Sequence, residues 1–187
     1  MIPTLPLPAR NRLASTILAA LHDASARQRL AGVAGGDVDE TEWLGVEGQG
    51  ASVLLRQRAE SATHALAALP LGVADPPLTE ALARAAVLFD AGLAFEVHEL
   101  LEPYWVRASG EERDVLQGLI QIAVGYQHLA NGNLAGARAL LDEGAARIGG
   151  RSVAGIDCRR FASAARATIP RLTHGPNAPD FPRRRSS

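Results

Sequence analysis

Between Val115 and Ala137 the chain carries no formal charge, yet this stretch holds three Gln, one His, two Asn and four Gly. Few structures accommodate such a segment. Its amides and imidazole make it a poor membrane span. Apolar side chains cover well over half of a helix drawn through it, too much for a solvated surface helix. It reads as the central helix of an all-α domain, from about Glu111 to Ala130, closed by Asn131-Gly132-Asn133. The remaining stripe is Gln117, Gln121 and His128, with Gly118 and Gly125 beside it. Glycine inside a helix costs about 0.5–1 kcal/mol relative to alanine. Two aligned glycines therefore predict another backbone passing close, and a covered stripe.

Composition agrees with a helical chain. Apolar residues make up 47% and aromatics only 4%, so the core is expected to be mostly Ala, Leu, Val and Ile, with the first two favouring helix. Net charge is −1 and every basic residue is an arginine. No basic stripe of the kind nucleic acid demands is present, and the Arg-rich end reads as a solvated terminus. Cys158 is the single cysteine, which excludes an intrachain disulfide and a Cys-rich zinc knuckle. Beside Arg159 and Arg160 it is either a thiol of lowered pKa or, the commoner case, a packed small residue. The opening MIPTLPLPARNRL lacks the charged start and continuous apolar run of a signal peptide. A soluble, cytoplasmic protein without membrane or nucleic-acid partners is expected.

Periodicity and punctuation divide the chain into an N-terminal helical extension with linker (1–76), a core helical domain (77–172) and a tail read as disordered (173–187). In the extension, Leu13, Ile17, Leu21 and Ala24 predict a helix from about Arg10 to Leu30, and a second runs from about Ala51 to Leu69. The acidic, Gly-rich stretch between them reads as a loop. This N-terminal pair is expected either to cover the core or to form the face of a homodimer. In the core, Pro77 opens a helix with Leu78, Leu82, Ala85 and Phe89 on one face. A Gly turn, the helix of AFEVHELLEPYW, the turn RASG, the central helix, a helix from Leu134 to Ile148 and a last one capped by Asp157 follow. Gly92 echoes Gly132, Leu100-Leu101 echo Leu140-Leu141, and Glu102 echoes Asp142. The predicted fold is a compact helical bundle of two helix-turn-helix hairpins plus a C-terminal helix, with the extra N-terminal pair.

The chemistry concentrates on two facing helices. Phe89, Leu93, Val97, Leu100, Leu101, Tyr104 and Trp105 fall on one arc, with Glu99 opposite and Glu96 and His98 on its flanks. As a lone helix this is an apolar stripe backed by a wet acidic face. The short RASG turn makes the central helix an antiparallel neighbour, which would bring Glu102 near Gln117 and His98 near Gln121. Such a seam is either self-satisfied or holds a ligand. Pro103 removes the amide that would bond the Glu99 carbonyl, and so kinks or ends the helix. His98-Glu99-x-x-Glu102 is an HExxE motif, one ligand away from the zinc-binding HExxH helix. His98, Glu102 and His128 are the candidate ligands of a divalent metal, with Glu99 as candidate general base. His22, His64 and His174 have no ligand-spaced neighbours.

These motifs, F89-DAG-LAFEVHELLE-PYW105, G110-EERDVLQGLIQ-IAVGYQH128 and GN-LAGA from Gly132, resemble the bacterial and archaeal family known as domain of unknown function 309. The resemblance covers about residues 78–170. It implies a small all-α bundle, no established activity, and Glu96, His98, Glu99, Glu102, Trp105, Arg113, Gln117, Gln121 and His128 as signature residues. Arg113 is expected to pair with a glutamate across the hairpin. The leading expectation is a module binding a small molecule or protein through the seam, with Glu96, Glu99, Glu102, Trp105, Arg113, Gln117 and Gln121 as its lining. The alternatives are a divalent-metal-dependent hydrolase and an interaction scaffold with no ligand.

Overall fold

Asp23 breaks the first predicted helix in two. In the computed structural model, which describes residues 4–172 and 178–184, α1 (Leu7–Ala19) ends before it. The Asp23 carboxylate accepts from Ser25 N at 2.8 Å and opens α2 (Ala24–Gly35), satisfying an amide that has no intrahelical partner. Arg27 holds the corner by donating to Ala20 O and Leu69 O, both at 2.8 Å. Helical spacing continues through Leu21 and Ala24, so periodicity alone does not reveal the break.

The stretch expected as a loop also differs. It contains a short helix, α3 (Glu40–Leu44), and a 3-10 turn (Val46–Ala51) before α4 (Ser52–Ala67). Asp39 caps α3 through Thr41 N at 2.9 Å. Arg12 of α1 donates to Glu42 O and lies 5.7 Å from the Trp43 ring. A helix this short has no stability of its own, and its support comes from a residue far off in sequence. The expected helical pair is thus α1, α2, α3 and α4, with Leu13, Ile17, Leu30, Leu55 and Leu66 buried. They make up one compact unit, residues 1–76.

The second unit, residues 77–187, follows the predicted hairpins. Its helices are α5 (Leu78–Asp90), α6 (Ala94–Arg107), α7 (Gly110–Ala130), α8 (Leu134–Ile148) and α9 (Arg159–Thr168). Gly92 and Gly132, the echoed pair, occupy the turns α5–α6 and α7–α8 at φ of 75° and 77°, a region that favours glycine. Pro103 lies inside α6, which continues to Arg107. Among the described residues no helix, α7 included, is long and apolar enough to cross a membrane.

Two features of this unit are absent from the sequence expectation. A small antiparallel hairpin, β1 (Ser152–Val153) with β2 (Ile156–Asp157), precedes α9. Its two turn residues, Ala154 and Gly155, both have positive φ (49° and 77°), as a type I′ turn requires. Asp157 then accepts from Arg159 N at 2.9 Å, the expected cap of α9. The other feature is an aromatic cluster at the core's edge. Phe89 meets Tyr126 and Phe161 edge-on, each at 5.5 Å between ring centroids, and Phe181 at 5.3 Å. Phe181 belongs to the stretch read as disordered tail. Residues 178–184 of it are placed, with Phe181 only 2% exposed, because an aromatic side chain finds an aromatic socket.

Candidate functional site

Helix α6 begins with acidic Glu96 in its first turn, where the helix dipole favours negative charge. Glu96 is fully buried, at 0% exposure, so it belongs to the interior and not to an open site. One turn on, His98 Nδ1 lies 3.0 Å from Glu99 Oε1. Spacings of three and four residues bring Glu102 onto the same patch. One ligand atom from each of His98, Glu99 and Glu102 lies within 4.8 Å of the others. His98 and Glu99 are half-buried and Glu102 is exposed, so the patch opens to solvent over a buried Val97–Leu101 layer. Grouped this way, Glu99 stands with the ligand-type atoms rather than apart as a base.

The other expected members go elsewhere. Among the described residues no hydrogen bond joins Glu102 to Gln117 or His98 to Gln121. Gln121 Oε1 instead accepts from Arg147 Nε of α8 at 3.2 Å. His128 Nδ1 is 2.8 Å from Asn133 Nδ2, in the α7–α8 turn. A rise of 1.5 Å per residue puts His128 about 27 Å along α7 from Gly110, whereas His98 is only about 14 Å along α6 from Arg107. The third ligand candidate therefore lies past the cluster's level, and His128 serves the turn. Gln117 is half-buried. His174 lies outside the described residues.

The reason is the glycine face. A Cβ on Gly118 would meet Ile148 Cγ1 at 2.6 Å and Gly144 O at 2.8 Å, and one on Gly125 would meet Leu141 Cδ2 at 3.0 Å. Gly118, Gly125, Gln121 and His128 share the face that α8 covers. The second backbone that the glycines predicted is present, and it is that of α8. A polar network that the sequence reading missed lines this crossing. Asp114 meets Arg147 at 3.5 Å and Arg151 at 3.1 Å, and Arg147 also reaches Glu143 at 3.3 Å. Its only sequence signal is the spacing of Glu143, Arg147 and Arg151 along and just beyond α8.

Arg113 also departs from its expected role. Its guanidinium lies 4.3 Å from the centroid of the Trp105 ring and donates to Trp105 O at 3.0 Å and Val106 O at 3.3 Å. It closes the C-terminal end of α6, where a cation is favoured, and does not pair with a glutamate. Trp105 contributes its ring face to that stack, and its buried Nε1 has no hydrogen-bond partner. Cys158 is buried, donates weakly to Ile156 O at 3.5 Å, and has its thiol pushed up to about 12, chiefly by burial. It is a packed residue, and the activated-thiol reading falls.

By fold and site, the second unit is an all-α module carrying a His-Glu-Glu patch on the open face of its second helix. Residues 82–140, from α5 into α8, match the family described as "Domain of unknown function (DUF309)". The match falls within the second unit, on the stretch whose motifs carry the resemblance. No curated protein and no solved structure matches the chain.

Proposed function

We propose that the second unit is a binding module whose site is the outer face of α6 and whose ligand is a divalent cation. The observation carrying this reading is the convergence of His98, Glu99 and Glu102 ligand atoms within 4.8 Å of one another on a solvent-open face. One imidazole and two carboxylates form a mixed nitrogen–oxygen donor set suited to a first-row divalent metal. Three donors from one helix leave the outer coordination positions to water or to a ligand carried in from solvent. The hydrolase alternative needs such open positions, because a metal-bound water is its nucleophile. It becomes worth testing once a cation binds.

The test is thermal unfolding of chelator-treated protein against a panel of divalent metals, beside His98→Ala and Glu102→Gln. A cation at about one hundred times its Kd stabilises the folded state by about 2.7 kcal/mol, a shift of several degrees for a chain of this size. That shift is expected with one or more metals in the wild type and is lost in both variants. Equal response of the wild type and both variants to every metal would remove the reading and leave α6 with a solvated acidic face.

A further inference from the structure

The stretch 178–184 crosses the second unit without forming helix or strand. Its buried residues are Phe181 and Pro182, while Ala178, Asp180, Arg183 and Arg184 are exposed. The Phe181 ring lies 5.3 Å from Phe89 of α5 and 5.2 Å from Phe161 of α9. Two residues on, Arg183 Nη2 contacts Asp90 Oδ2 at the C-terminal end of α5. Carboxylate and helix terminus are both negative there, so the position favours a cation. Between this strap and residues 155–164 a cleft of about 760 Å³ remains, lined by Asp157, Arg160 and Ala164 on the body side. The strap is therefore held by one aryl group, its neighbouring proline and one ion pair, and not by continuous packing.

We propose that Phe89, Phe161 and Asp90 form a docking site for an extended Phe-Pro-Arg segment, and that residues 178–184 fill it in cis as a displaceable plug. The socket walls belong to two helices, Phe89 to α5 and Phe161 to α9, and not to the strap itself. Pro179 and Pro182 fix their own φ and reduce the ordering cost of an extended segment, the same economy by which proline-rich segments dock on aromatic grooves. A short segment with one aryl anchor exchanges with an identical segment supplied in trans, and tethering gives the chain's own copy the advantage of high effective concentration. Recognition has two parts: the aromatic socket selects the ring, and Asp90 selects the arginine two residues later.

The probe is a fluorescent peptide of residues 178–184, APDFPRR, titrated by anisotropy against full-length wild type and full-length Phe181→Ala. Saturable binding is expected to Phe181→Ala, and binding about tenfold weaker or worse to wild type, whose socket is occupied. A peptide with alanine in place of its phenylalanine should not bind. Failure of the parent peptide to bind Phe181→Ala of wild-type helix content would overturn the proposal. So would equal affinity for wild type and variant, since binding would then bypass the socket. Should Phe181→Ala fail to fold, Arg183→Ala keeps the ring and loosens the plug. It is expected to admit the peptide more readily than wild type, and no difference between them would equally overturn the proposal.

Discussion

Arg113 and Cys158 show how the surroundings of one residue decide its role. The guanidinium stacks on Trp105 and takes the last carbonyls of α6, so nearby glutamates do not capture it. Lysine could not replace it there, because the stack uses a planar group and the carbonyls need a fork of donors. Cys158 has two arginines next to it in sequence, yet burial, with the Asp157 carboxylate adding to it, pushes the thiol up from its ordinary 9.0 to about 12. A folded-state pKa above the unfolded value means stability is fully present below about pH 9. Above that, the unfolded chain releases a proton that the folded chain keeps, and stability is lost as pH rises toward about 12. The Tyr126 phenol, also pushed up by burial, acts in the same direction. Urea midpoints measured from pH 8 to 11 should therefore fall, and fall less steeply in Cys158→Ala. Identical slopes in the two proteins would show that the thiol is not the group responsible.

At the scale of elements, helix existence in the second unit could be read from periodicity, because its helices have apolar faces and α5, α7 and α8 end at Gly or Asn turns. Which neighbour covers a face could not. The stripe of Gln117, Gln121 and His128 was recognisable, yet α6 and α8 both adjoin α7 through short turns and either could have covered it. Gly118 and Gly125 held the answer, since a helix flanked by glycines on one face approaches its partner backbone there, and that partner is α8. In the first unit the break at Asp23 and the helix α3 were hidden for a different reason: both rest on distant groups, Arg27 with Leu69 O and Arg12 with Trp43. The HExxE patch was legible as local spacing on one helix, whereas His128 was a wrong third member because pattern does not measure distance along a hairpin. The α7–α8 crossing supports a quantitative expectation. Gly118→Ala improves helix propensity by about 0.5–1 kcal/mol, but its Cβ would lie 2.8 Å from the Gly144 backbone oxygen. Overpacking of that kind costs about 1–3 kcal/mol, so a net loss is expected in urea unfolding. Gly125→Ala, facing mainly the movable end of Leu141, should lose less. The reverse order would mean that α8 yields at its C-terminal end, around Gly144 and Ile148, and not at its middle.

The whole molecule consists of two compact units divided at Pro76 and Pro77, and both proposed sites lie in the second. The family match falls within it, as do the His98–Glu99–Glu102 patch and the Phe89–Tyr126–Phe161–Phe181 cluster. Its interior has contributions from every helix, including Leu82, Val97, Leu119, Leu141 and Phe161, and a chain of roughly a hundred residues can bury enough surface to fold alone. A fragment of residues 77–187 is accordingly expected to retain its helical circular dichroism and to unfold in one cooperative transition. In that fragment the metal response of α6 and the plugging of the aromatic socket should both persist, since all the residues they use are present. Thermal melts with and without divalent metal, together with dye binding to exposed apolar surface, would check this. A fragment that binds the dye strongly and melts without cooperativity would mean that residues 1–76 complete the core. In that case the proline boundary would mark a turn within one folding unit and not a junction between two.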